Sequence, residues 1–146
     1  MKIGQGMASK VYANNGVVKK VYYTDKSKYN KRGLDKHWKK EIHALKTLKG
    51  KKHFPQLIDV NEKLKIIWMT NCGEKITKDN VPTNWEKQCD TIDGSMHTTK
   101  LFHCDLMLKN ITVKDGIIYI VDWGLWSDEK RDEIKTVKQA IKKLWD

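Results

Sequence analysis

Residues 103–124 read HCDLMLKNITVKDGIIYIVDWG. Asp115-Gly116 sits between two apolar, β-branched runs, the pattern of a two-residue β-hairpin turn. With that turn, Lys114 faces Ile117 and Val113 faces Ile118. Continuing outward, Asn110 faces Val121, one residue from Asp122. The hairpin therefore brings an amide oxygen and a carboxylate together at its open end. These are hard oxygen donors, suited to Mg²⁺ that arrives with substrate phosphates. Asp105 lies in the loop entering the hairpin, where a carboxylate can take the proton of an attacking hydroxyl.

The start of the chain supplies partners for such a site. Gly4-Gln5-Gly6-Met7-Ala8-Ser9-Lys10-Val11 is glycine-rich, with Ser9 in place of a third glycine. Glycines let backbone N–H groups approach phosphates with no side chain in the way. A dinucleotide-binding loop would lead from a strand into a helix. Here a strand follows, which favours a loop folded over a nucleotide between antiparallel strands; a plain hairpin turn remains the alternative. Val17-Val18-Lys19-Lys20 follows on the next strand. Side chains alternate along a strand, so Val17 and Lys19 share a face. On this reading Val17 contacts the base, Lys19 reaches the phosphates and Lys20 points outward. Glu41, on the first predicted helix, is placed to pair with Lys19.

Outward from these groups the chain reads as α+β in two lobes within a single domain. The first, about 1–72, is mostly β. The second, about 73–146, is mostly helical and carries the hairpin. Asn15-Gly16 between β-branched residues predicts a hairpin. Trp38, Ile42, Leu45 and Leu48 predict one apolar helix face over about 35–49, and Trp85, Cys89, Ile92 and Met96 another over about 84–100. PQLIDV and KIIWMT read as strands, and 73–84 as a connector. A last helix is expected from Asp128 to the end, capped by Ser127, with Ile134, Val137, Ile141 and Leu144 buried.

Composition sets the outer limits. The chain has 146 residues, net charge +11 and 39% hydrophobic residues, a globular balance. Such a charge favours acidic partners, RNA or an acidic protein surface among them, or else reflects a lysine-rich solvated surface. No apolar run is long enough to span a membrane, and the start lacks a signal peptide's apolar core. The three cysteines, Cys72, Cys89 and Cys104, are widely spaced, which reads as free thiols in a reducing cytoplasm.

At these positions the sequence resembles the protein-kinase superfamily. His103, Asp105, Leu106 and Asn110 match H-R-D-L-x-x-x-N, and Asp122-Trp123-Gly124 matches D-F-G. Lys19 and Glu41 stand as the strand lysine and its helix partner. The resemblance implies a minimal bilobal kinase fold, ATP and Mg²⁺ as ligands, and γ-phosphate transfer to a protein serine or threonine. It makes Met69 to Cys72 the stretch that contacts adenine, with Asn71 and Cys72 in the hinge. Cys104 replaces the arginine that usually answers a phosphorylated activation loop, Met107 stands where many such kinases carry a lysine, and no A-P-E motif follows. This compactness is similar to Rio-type and tRNA-complex-associated atypical kinases, and to reduced kinases of large DNA viruses, for which the location would be the host cytoplasm. Two further readings stay open: a nucleotide-binding pseudokinase or RNA-associated regulatory partner, and a small-molecule kinase.

Overall fold

The computed structural model describes residues 2–5, 8–129 and 136–146. Gly6, Met7 and Ile134 lie outside the described residues. The first half forms an antiparallel five-stranded sheet: β1 (Lys2–Gln5), β2 (Ser9–Asn14), β3 (Val17–Tyr22), β4 (Leu57–Asn61) and β5 (Ile66–Thr70), in the order β1-β2-β3-β5-β4. Asn15 and Gly16 close the β2–β3 hairpin; Asn15 has φ 43°, the positive value that Asn tolerates better than most residues. A short helix, α1 (Lys26–Lys31), which the periodicity did not show, leads to α2 (Leu34–Thr47).

Helix α2 joins the two halves. Leu34, Trp38 and Leu45 pack with Tyr22, Ile67 and Met69 under the five-stranded sheet. Ala44 and Leu48 belong to the second core, with Phe54, Cys89, Ile92, Met96 and Trp123. That core lies between α3 (Trp85–Thr99), a small sheet and α4 (Val137–Lys142). The apolar stripes expected of the first two helices are the buried ones, with Ile42 and Trp85 half-buried.

The small sheet contains β7 (Ile111–Lys114) and β8 (Ile117–Ile120), joined at Asp115-Gly116, in the register expected: Lys114 opposite Ile117 and Val113 opposite Ile118. The expected connector holds a third strand, β6 (Glu74–Lys75), paired with β7. Gly73 precedes it, with φ +87° and a place where a Cβ would lie 2.1 Å from the Val113 carbonyl oxygen, so this close approach requires glycine.

The last helix differs from expectation. Asp128 and Glu129 are not helical, and Ser127 pairs with Phe102 in an isolated bridge instead of capping a helix. The described helix starts at Val137. Thr136 caps it through a reciprocal capping box with Gln139, which satisfies two end donors at once. Among the described residues no helix is long and apolar enough to cross a membrane.

Candidate active site

The site is built around Lys20. Strand β3 turns Val18, Lys20 and Tyr22 toward α2, and Lys20 is only 6% exposed. Its Nζ lies 2.9 Å from Glu41 Oε1 and donates to Asp122 Oδ1. Glu41, 1% exposed, also accepts from the Tyr22 hydroxyl at 2.7 Å and from the Trp123 N–H at 3.1 Å. The Asp122 carboxylate, the Tyr22 hydroxyl and the Trp123 N–H thus converge on one buried ion pair, the condition under which a buried carboxylate is tolerated.

The electrostatics follow from that packing. Burial opposes the Lys20 ammonium, but Glu41 and Asp122 outweigh it and hold its pKa well above the usual lysine value. The Lys20 charge in turn holds Asp122 below the usual carboxylate range, against the effect of burial. Burial, reinforced by Glu41, raises the Tyr22 phenol well above its usual value.

The sequence expectation that Glu41 pairs with Lys19 is therefore corrected by one residue. Lys19 lies on the opposite face of β3, with its ammonium 5.1 Å from the centre of the Tyr12 ring. Val17 shares that face and is exposed, so Val18 takes the inward place assigned to Val17. The side chains of β3 alternate as expected, but the inward face is the one with Val18, Lys20 and Tyr22. The inward face is chosen by β5 and α2, which lie far away in sequence.

The hairpin delivers the second group. Val121 N–H donates to the Asn110 carbonyl at 3.0 Å, which places Asp122 beside the end of the loop that carries Asp105. Asn110 is buried, and its side-chain nitrogen donates to the Asp105 carbonyl at 2.8 Å and to Asp105 Oδ2 at 3.0 Å. Those bonds aim the amide oxygen of Asn110 away from Asp105. His103 anchors the loop. Its Nδ1 accepts the Asp105 N–H at 3.1 Å, so Nε2 carries the proton donated to the Val121 carbonyl at 2.7 Å. Burial lowers the His103 pKa, in keeping with this neutral tautomer. Cys104 and Asp122 both adopt left-handed backbone, with φ 69° and 70°, which non-glycine residues adopt at a cost.

Two neighbouring cavities share Lys20 and Asp122 in their linings. The smaller, about 130 Å³, is lined by Val11, Val18, Met69, Asn71, Cys72 and Val121 among others. The larger, about 520 Å³, is lined by Ser9, Tyr22, His37, Asp105, Lys109 and Gly124 among others. The structure thus brings together Ser9, Val11, Glu41, Met69, Asn71, Cys72, Asp105, Asn110 and Asp122 of the residues read from sequence. Gly4 pairs with Val11 across β1 and β2. Lys20, Val18 and Tyr22 were missed. Their shared strand parity was the available signal, since any one of the three facing inward implies the others.

Such a cleft can hold a flat apolar group in its narrow end and anionic groups over Lys20. Among the described residues no cluster of three or more His, Cys, Asp or Glu side chains is arranged to hold a metal ion. The Asn110 amide and Asp122 carboxylate fit a hard divalent cation whose remaining ligands come from a phosphate-bearing substrate. The family model of the RIO domain matches residues 7–137, most of the chain. No curated protein matches it.

Proposed function

The chain belongs to the RIO-domain family of atypical protein kinases, and on that premise we propose that it is a Mg-ATP-dependent kinase that phosphorylates serine or threonine hydroxyls of a protein. The observation that carries this reading is the Lys20 ammonium, held by Glu41 and Asp122 in the lining shared by the two cavities.

The residues divide the work by position. Val11, Val18 and Met69 offer apolar surface to a nucleobase, next to the Asn71-Cys72 backbone. Lys20 donates to phosphate oxygens, and Glu41 keeps its ammonium charged and in place. Asp122 and Asn110 would hold Mg²⁺, whose positive charge when bound offsets the charge on the phosphates. Asp105 orients the acceptor hydroxyl and takes its proton. The hydroxyl oxygen forms a bond to the γ-phosphorus, and the bond to the β–γ bridging oxygen breaks. Its electron pair leaves with ADP. Asn110 holds both the backbone and the side chain of Asp105, which ties the base to one of the two residues that would hold the metal.

The thiols of Cys72, Cys89 and Cys104 are all free, which suits the cytoplasm as the place of action. The test is incubation with Mg²⁺ and γ-labelled ATP, followed by detection of phosphorylated serine or threonine on the chain or on an added acceptor protein. A melting-temperature rise with Mg-ATP but no transfer to any acceptor would replace this reading with a nucleotide-binding regulatory protein. No rise at millimolar ATP would remove its basis.

A further inference from the structure

Helix α2 carries Glu41, so whatever fixes the helix fixes the Lys20–Glu41 pair. The residue before Glu41 is gripped from outside. Lys40 Nζ donates to the Trp126 carbonyl at 2.7 Å, and Trp126 Nε1 donates to the Lys40 carbonyl at 2.8 Å. The Lys40 ammonium also lies 5.2 Å from the centre of the Trp126 ring, which stacks on His43 at 5.3 Å. Trp126 therefore holds one turn of α2 by its backbone, a charged side chain and a ring. A bond to a helix carbonyl reports the position of the helix itself, because the carbonyl cannot move without it.

Trp126 is tied at its other end to the loop that carries Asp105. Its neighbour Ser127 exchanges two backbone bonds of 2.9 Å with Phe102, the residue before His103. The Trp123 N–H, on the same segment, reaches Glu41 from inside. A shift of α2 away from the cleft would break bonds on both of its sides.

We propose that Lys40 and Trp126 form a reciprocal clamp that positions α2, and with it Glu41, against the segment following Asp122-Trp123-Gly124. The inference rests on the phosphotransfer reading for its consequence, though not for its geometry. Both are positioning residues. Neither lines the cleft, and both act through Glu41 on Lys20.

The test uses the full chain and four variants. Trp126→Phe keeps the ring and removes the indole donor. Lys40→Met keeps the stem and removes the ammonium, and Lys40→Arg restores a cation and donor. Lys39→Met is the control, since Lys39 lies on the exposed side of α2 and, among the described residues, pairs with Asp35. The first readout is amide hydrogen exchange in the ligand-free protein. Exchange over 34–47 should rise about fivefold in Trp126→Phe and in Lys40→Met, the factor carried by one typical net hydrogen bond. Exchange over 111–120 should stay as in the wild type, and Lys40→Arg should recover most of the effect. The second readout is transfer: kcat should fall in the two disruptive variants with KM for Mg-ATP changed less than about twofold. Unchanged exchange in α2 overturns the clamp. Altered exchange with wild-type kcat overturns its positioning role. If the wild type itself transfers no phosphate while exchange changes as expected, the clamp stands and the kinase reading fails. Should Trp126→Phe not fold, the Lys40 pair carries the test alone.

Discussion

Replacing Lys20 by Met, beside Lys19→Met, tests the register of β3 most directly. In Lys20→Met the Glu41 carboxylate stays 1% exposed and loses its counter-charge. Removing one partner of a buried ion pair costs about 3–5 kcal/mol. The Tyr22 hydroxyl and the Trp123 N–H still donate to Glu41, which places the cost near the lower end, about 3 kcal/mol. For a chain of this length that corresponds to a fall in melting temperature of about 10 °C. Lys19→Met loses a cation–π contact with Tyr12, worth about 0.5–1 kcal/mol, or about 3 °C at most. A second substitution, Glu41→Gln, removes the stranded charge, so Lys20→Met/Glu41→Gln should melt above Lys20→Met alone. That non-additivity is the signature of direct coupling.

The assay is thermal and urea unfolding of the wild type, Lys20→Met, Lys19→Met, Glu41→Gln and the double variant, each repeated with millimolar Mg-ATP. Lys20→Met should lose most of the nucleotide-dependent stabilisation, and Lys19→Met should keep it. If Lys19→Met loses the ATP response while Lys20→Met keeps it, the inward face of β3 has been assigned wrongly and the site described above is not the nucleotide site.

Three other expectations follow from the same contacts. Asp122→Ala should weaken Mg-dependent nucleotide binding and abolish transfer together, whereas Asp105→Ala should keep most Mg-ATP binding and lose most transfer; parallel binding and transfer measurements decide, and wild-type transfer by Asp105→Ala would remove its assigned role. His103 is buried with its pKa held below the unfolded value of about 6.5, so the unfolded chain binds a proton that the folded chain does not. Stability contributed this way is present above about pH 6.5 and is lost as pH falls toward the folded pKa; His37 and His53 shift in the same direction, and a urea midpoint flat from about pH 7.5 to 5.5 would count against it. Gly73→Ala should destabilise by about 2–4 kcal/mol, because a Cβ there meets the Val113 carbonyl at positive φ, while Gly116→Ala, with open space around it, should cost about 1 kcal/mol in the same unfolding assay.

The features legible in the sequence are those set by neighbours along the chain. Asp115-Gly116 defines the register of 111–120 locally, so the approach of Asn110 to Val121 could be counted from the turn. The helix stripes through Leu45 and Cys89 were equally local. Thr136-Val137-Lys138-Gln139 carries a capping box in plain sequence, yet Ser127-Asp128-Glu129 offers a competing helix start with acidic residues in its first turn. The competition is decided by Phe102, which pairs with Ser127 from across the fold.

Strand β3 shows why the central lysine could not be chosen the same way. Val17, Lys19 and Val21 form one face, and Val18, Lys20 and Tyr22 the other. Each face offers two apolar groups and one lysine, so hydrophobic alternation does not separate them. The separation comes from Glu41, 21 residues away, and Asp122, 102 residues away, whose carboxylates make the buried side the one that carries Lys20. The same distance hides the left-handed backbone of Asp122. No local preference favours φ near 70° for an aspartate followed by tryptophan. The conformation persists because the Val121–Asn110 backbone bond holds the chain before it, Lys20 holds its carboxylate, and Glu41 accepts from the Trp123 N–H after it. Three contacts from three separate elements over-determine one dihedral angle, and each of them involves a residue that the cleft uses.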